Sequence, residues 1–113
     1  MKTIMTGLGA LVLMTGSALA EVRVGTGEAM KAAVNKPQPV YSAVARQMKV
    51  AGKVEVEAIV DTTGNVESVR SLTGNPLLTQ SAISAVQKWK FAPFAENGAP
   101  ARAIVTLSFD FRP

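Results

Sequence analysis

The stretch Lys53-Val54-Glu55-Val56-Glu57-Ala58-Ile59-Val60-Asp61 decides the fold. Val54, Val56, Ala58 and Val60 point one way, and Lys53, Glu55, Glu57 and Asp61 point the other, as in a strand with one buried face. Thr62-Thr63-Gly64-Asn65 then reads as a hairpin turn in which Gly64 takes a positive φ. The return strand over residues 66–72 alternates poorly, because Val66 and Val69 fall on opposite faces; a bulge between them reconciles the two. The last strand, residues 101–111, alternates well. Ala103, Val105, Leu107, Phe109 and Phe111 face inward, and Arg102, Thr106, Ser108 and Asp110 face outward.

Two helices complete the pattern. Tyr41, Val44, Ala45 and Met48 recur at the spacing of a short amphipathic helix, with Gly52 as its expected terminator. Asn75 is a good N-cap for a second helix, and Pro76 suits its first position. Leu78, Ala82, Ala85, Val86 and Trp89 form its apolar face, and Lys88 and Lys90 are expected in its last turn. Pro93 ends it, and Glu96-Asn97-Gly98 makes a turn into the last strand. The order helix, strand, strand, helix, strand predicts an α+β domain: a three-stranded antiparallel sheet with both helices packed on one face.

Composition narrows the function. The 113 residues contain neither cysteine nor histidine, so disulfides, thiolate nucleophiles, imidazole metal sites and Ser-His-Asp triads are excluded. No cofactor, metal or catalytic residue is expected. Glu55 and Glu57 could in principle form an acid–base pair, but they read better as a solvated strand face. Trp89 reads as core, and Tyr41 carries a hydroxyl that must reach water or a partner. The net charge of +4 comes from dispersed Lys and Arg without interleaved aromatics, which argues against a nucleic-acid partner.

The N-terminus has the layout of a secretory leader. Lys2 precedes an uncharged run over residues 4–14, and Ala18-Leu19-Ala20 places small residues before Glu21, giving a cleavage site between Ala20 and Glu21. The alternative is a retained anchor. A helix over residues 3–20 would span about 27 Å, slightly short of the ~30 Å hydrocarbon core. Residues 1–20 are therefore assigned as signal peptide or retained anchor. Residues 21–35 are read as a short arm, either a brief strand or a loose segment with one helical turn near Glu28 to Ala33. Residues 36–113 are the folded domain, entered through Lys36-Pro37-Gln38-Pro39.

Six short motifs in order resemble the TonB C-terminal domain family. They are Pro39-Val40-Tyr41, Gly52-Lys53-Val54-Glu55-Val56, Asp61-Thr62-Thr63-Gly64-Asn65-Val66, Ser71-Leu72-Thr73-Gly74-Asn75-Pro76-Leu77-Leu78, Ala85-Val86-Gln87-Lys88-Trp89-Lys90-Phe91-Ala92-Pro93, and the closing Leu107-Ser108-Phe109-Asp110-Phe111. The family commonly has proline after its tyrosine; this chain has Ser42.

The resemblance implies a mechanical role. TonB proteins draw on the proton gradient through an inner-membrane complex and pull on outer-membrane receptors, pairing their last strand with a receptor segment, the TonB box. Carried onto this chain, the pairing strand is residues 103–111, and Ile104, Thr106, Ser108 and Asp110 are the outward residues free to touch a partner, with Tyr41 as a further candidate. The expected partner is a TonB-box-like peptide of an outer-membrane receptor or another envelope protein, bound by an exported, periplasmic module. Two alternatives stay open. One is a minimal energy transducer, held in the inner membrane by an uncleaved leader, facing the periplasm and coupled to the proton-driven motor. The other is a structural envelope domain that associates with a second copy of itself.

N-terminal sequencing of the protein recovered from cells separates the first two readings. Glu21 as first residue is the expected result, and replacing Ala18 and Ala20 by bulky residues should block processing. Met1 on a membrane-pelleting wild type would establish the anchor instead.

Overall fold

The computed structural model describes residues 21–112. The leader expected at 1–20, including Ala20 of its cleavage site, lies outside the described residues. The elements run β1 (Glu21–Val24), α1 (Thr26–Ala32), β2 (Ala33–Asn35), α2 (Ala43–Gln47), β3 (Gly52–Val60), β4 (Val66–Thr73), α3 (Pro76–Val86), β5 (Lys90–Phe91), β6 (Phe94–Glu96) and β7 (Ala99–Phe111).

The α+β class is as expected, and β3, β4 and β7 form the anticipated antiparallel centre. The sheet is larger than three strands, however. Its order is β1-β7-β3-β4, with β6 also paired to β7, and β2 and β5 form a separate two-stranded ladder. The additional strands are two to four residues long, too short to show a period of their own. Residues 21–35, read as a short strand or a loose arm, form β1, α1 and β2. They are joined to the rest of the fold, with β1 lying parallel to β7 from Glu21↔Arg102 to Val24↔Val105.

β3 is the centre of the sheet. It pairs with β7 without interruption from Gly52↔Phe111 to Val60↔Ala103, so the apolar faces of the two strands coincide. Val54, Val56, Ala58, Val60, Ala103, Val105 and Leu107 are fully buried. Ala45 of α2, Leu78, Ala82 and Val86 of α3, and Ala29 of α1 join them in one core with Trp89 and Phe91.

On the other side of β3 the expected bulge is present. Val60 opposes Val66 and Ile59 opposes Ser68, which leaves Glu67 as the extra residue. Val66 and Val69 therefore both lie opposite inward β3 residues, and both pack against the core.

The two helices differ in how closely they follow the sequence pattern. Asn75 Oδ1 accepts from the Leu77 N–H at 2.9 Å, Pro76 opens α3, and Leu78, Ala82, Ala85 and Val86 are buried, as expected. The helix ends at Val86 rather than at Pro93, so Lys88 and Trp89 follow it and Lys90 belongs to β5. In α2, Ser42 acts as N-cap, its hydroxyl accepting from the Ala45 N–H at 3.1 Å. The expected stripe is only half buried: Ala45 is in the core, whereas Val44 and Met48 are 54% and 64% exposed. The helix also stops earlier than expected. Lys49 adopts left-handed backbone at φ 56°, and the Val50 N–H returns to the Ala45 carbonyl at 2.9 Å. This happens before Gly52, which opens β3 instead.

Asp61 organises the β3–β4 turn. Its Oδ1 accepts from the Thr63 N–H at 2.9 Å, the Thr63 hydroxyl at 2.7 Å and the Asn65 N–H at 3.0 Å. The Thr63 hydroxyl and the Asn65 N–H hold its carboxyl below the ordinary value. Gly64 is obligatory in this turn: a Cβ there would lie 1.9 Å from the Phe91 carbonyl oxygen, and its own carbonyl accepts from the Phe91 N–H at 2.9 Å.

Trp89 closes the core. It is 3% exposed, and its ring meets Phe91 and Phe109, each at 5.9 Å between centroids. Trp89→Ala should destabilise the fold by about 3–5 kcal/mol, as read by thermal unfolding. A variant whose transition stays within a few degrees of the wild type would show that these contacts do not hold the core. A second expectation concerns acid. Because folding lowers the Asp61 pKa, its contribution is present above the unfolded value of about 3.9. It is lost as pH falls through the folded value. The Tm gap between wild type and Asp61→Ala should therefore narrow below about pH 4, and a gap that stays constant would contradict the role of this carboxylate.

Candidate functional site at the end of the last strand

Of the sheet's strands, β7 is the longest, and its two edges are treated differently. One edge is taken by β3 along its length from Ala103 to Phe111. On the other edge β1 pairs only as far as Val24↔Val105. Immediately after it, the Thr26 hydroxyl donates to the Thr106 carbonyl at 2.8 Å, so Thr106 presents its backbone to this second edge. Strand backbone alternates, so Ile104, Ser108 and Asp110 present theirs the same way. β1 covers the stretch at Ile104, Thr26 covers the carbonyl of Thr106, and among the described residues no strand lies beside Ser108 and Asp110.

A groove of about 330 Å³ runs along that uncovered end. It is lined by residues 108–112 on one side and by Gln38, Pro39 and Tyr41 on the other. Pro37 and Pro39 keep the second wall extended, and the Trp89 Nε1–H ties it down by donating to the Pro37 carbonyl at 2.9 Å. Tyr41 meets Phe111 edge-on at 5.8 Å, donates its hydroxyl to the Val50 carbonyl, and carries the Arg46 guanidinium 5.2 Å above its ring. Its hydroxyl is thus already satisfied within the chain, and it is the ring that lines the groove. Phe109 is half-buried rather than sealed, with one side on Trp89 and another toward the groove.

The sequence-derived residues separate accordingly. Ser108, Asp110 and Tyr41 come together around one groove, while Ile104 and Thr106 lie further up the strand beside β1 and α1. The Ser108 hydroxyl donates to Glu55 at 3.1 Å, across the pair that the β3–β7 register sets opposite each other. Asp110 accepts from Arg112 at 2.7 Å. Glu57, the other carboxylate of the strand face, is paired with Arg70 at 2.9 Å. Gln38, Pro39, Phe109, Phe111 and Arg112 were missing from the sequence-derived set, the two phenylalanines because they read as inward core. The doubled proline marked an extended entry into the domain, but nothing local showed that this entry would lie beside the last strand. Among the described residues no cluster of acidic side chains could hold a metal ion, and no helix is long and apolar enough to cross a membrane.

Backbone donors and acceptors lie along one side of the groove and Pro39 with the Tyr41 ring along the other, and an uncovered strand edge is a surface to which an extended segment can pair.

Comparison with known proteins agrees with the fold. The family described as "Gram-negative bacterial TonB protein C-terminal" matches residues 37–113. Protein TonB of Vibrio cholerae is 32% identical over 77 residues, covering 66% of this chain and 32% of that protein. Protein TonB of Salmonella typhimurium is 32% identical over 75 residues, covering 65% of this chain and 29% of that protein. The chain thus spans about a third of the length of these curated relatives. The solution structure of the Pseudomonas aeruginosa TonB CTD superposes with a TM-score of 0.60 at 23% identity, covering 72% of this chain and 84% of that one. The motifs, the three-stranded centre with its two helices and the match over residues 37–113 have one explanation: this chain belongs to the TonB C-terminal domain family.

Proposed function

We propose that this chain is a periplasmic interaction module of TonB-dependent transport. It binds an extended segment of an outer-membrane receptor or another envelope protein by strand addition to β7. The observation that carries the reading is the uncovered edge at Ser108 and Asp110, with a groove shaped for an extended chain beside it. Chemistry of the catalytic kind has no support in the residue set, whereas an open strand edge is itself a binding surface.

The expected strength follows from the hydrogen bonds. Each main-chain bond contributes about 0.5–1.5 kcal/mol net, and the edge-facing groups of Ser108 and Asp110 supply only a few. Contact with Pro39 and the Tyr41 ring adds apolar burial, and ordering the peptide subtracts from the sum. Binding should be weak to moderate, as suits a contact that must release.

Asp110 gives the cleanest test, because its side chain is exposed and bonds only to Arg112. Asp110→Pro removes an edge-facing N–H and puts a ring in the partner's path, whereas Asp110→Ala leaves the backbone intact. A synthetic TonB-box peptide titrated against both variants should bind Asp110→Pro about tenfold more weakly than wild type, with Asp110→Ala nearly unchanged. Undiminished binding by a folded Asp110→Pro chain would place the contact surface elsewhere.

A further inference from the structure

The uncovered edge is short because the chain covers the rest of it with its own residues. We propose that β1 is an intramolecular competitor for the partner segment. It occupies Arg102 to Val105 of the same edge, and it must leave before a partner strand can extend up β7. The inference rests on the strand-addition reading above.

Three observations carry it. First, β1 sits where an added strand would sit, in register from Glu21↔Arg102 to Val24↔Val105, so the two cannot coexist on that stretch. Second, its attachment is light. Val24 is buried, but Val22 is only partly so, and Glu21 and Arg23 are exposed. The Glu21–Arg102 pair at 3.3 Å has about four-tenths of each side chain exposed, and such pairs contribute little. A four-residue parallel strand at a sheet edge belongs to the low-stability end of a fold.

Third, β1 can leave without taking α1 with it. Gly25 is exposed between the two, and Ala29, fully buried, keeps α1 in the core. Release of β1 would free the edge-facing backbone of Ile104, and the open edge would run unbroken to Ser108 once the Thr26 hydroxyl, at the start of α1, also gives up the Thr106 carbonyl. The groove at residues 108–112 would then be the point of entry, and the β1 stretch the part gained by displacement.

Tethering fixes the direction of the effect. A strand held in place by one glycine competes at an effective concentration in the millimolar range, so a partner supplied in trans binds with its intrinsic affinity multiplied by the fraction of molecules in which β1 is released. Locking β1 down should weaken binding, and destabilising it should strengthen binding.

The absence of cysteine allows a clean lock. Arg23 and Ile104 are paired neighbours on the outer face of β1 and β7, and adjacent strands about 4.8 Å apart lie within the span of a disulfide. The full chain carrying Arg23→Cys with Ile104→Cys is titrated with a TonB-box peptide, oxidised and then reduced, alongside wild type and Val22→Pro. Folding of each is checked by circular dichroism. The oxidised form should bind about tenfold more weakly than the same protein after reduction, and Val22→Pro about tenfold more tightly than wild type. Equal affinity of the oxidised and reduced forms, with binding present in both, would overturn the competition while leaving strand addition at residues 108–112 in place. No binding by wild type, by the reduced pair or by Val22→Pro would overturn strand addition itself, and the competition with it.

Discussion

The nine-residue pairing of β3 with β7 is the contact on which everything else depends. It sets Val54, Val56, Ala58 and Val60 against Phe109, Leu107, Val105 and Ala103, so two alternating strands present one continuous apolar face. A slip of one residue would turn that face to solvent, which is why the register admits no irregularity here while β4, on the other side of β3, tolerates two. The helices add to this face but do not define it. β7, like β3, is an inner strand of the sheet, but on its second edge β1 covers only part of its length.

Much of this was legible in the sequence where the signal was local. The alternation of β3 and β7, the Asn75-Pro76 helix start and the buried Trp89 all follow from residues close together in the chain. The bulge was legible for a different reason: Val66 and Val69 cannot share a face without one. What escaped was set by partners far away. Glu21-Val22-Arg23-Val24 does alternate, but its pairing strand lies some eighty residues on and runs parallel, so no turn announces it. The α2 stripe misled in two ways: Val44 and Met48 stay exposed, and Lys49, with no glycine to signal it, ends the helix early. At the candidate site, the outward residues of β7 could be read from alternation. Their division into covered and uncovered could not, because it depends on where β1 and the Pro37–Pro39 stretch come to rest.

The edges of the sheet show how the molecule limits unwanted pairing. β4 forms one outer edge, and its pairing to β3 is interrupted at both ends by register shifts, with Glu67 and Arg70 placing charge along it. Bulges and charges of this kind make a poor template for another strand. Arg102 adds a tie across the sheet, reaching Glu67 of β4 at 2.6 Å and Glu21 of β1 at 3.3 Å. The side chain on the face away from the helices thus links the two outermost strands of the path β1-β7-β3-β4.

β7 is managed by different means. Its free edge carries no bulge, and its backbone remains regular to Phe111. Protection comes from β1 and Thr26 over part of its length and stops at the groove beside Tyr41. A fold under selection only to avoid association would blunt this edge as it blunts β4. The edge is left regular, covered in part by the four-residue β1 and flanked at its open end by Pro39 and the Tyr41 ring, which is the arrangement the strand-addition proposal requires. The bond from Trp89 Nε1–H to the Pro37 carbonyl ties the segment that carries Pro39 to the side chain whose ring closes the core. One side chain thus serves the core with its ring and anchors the chain beside the groove with its Nε1–H.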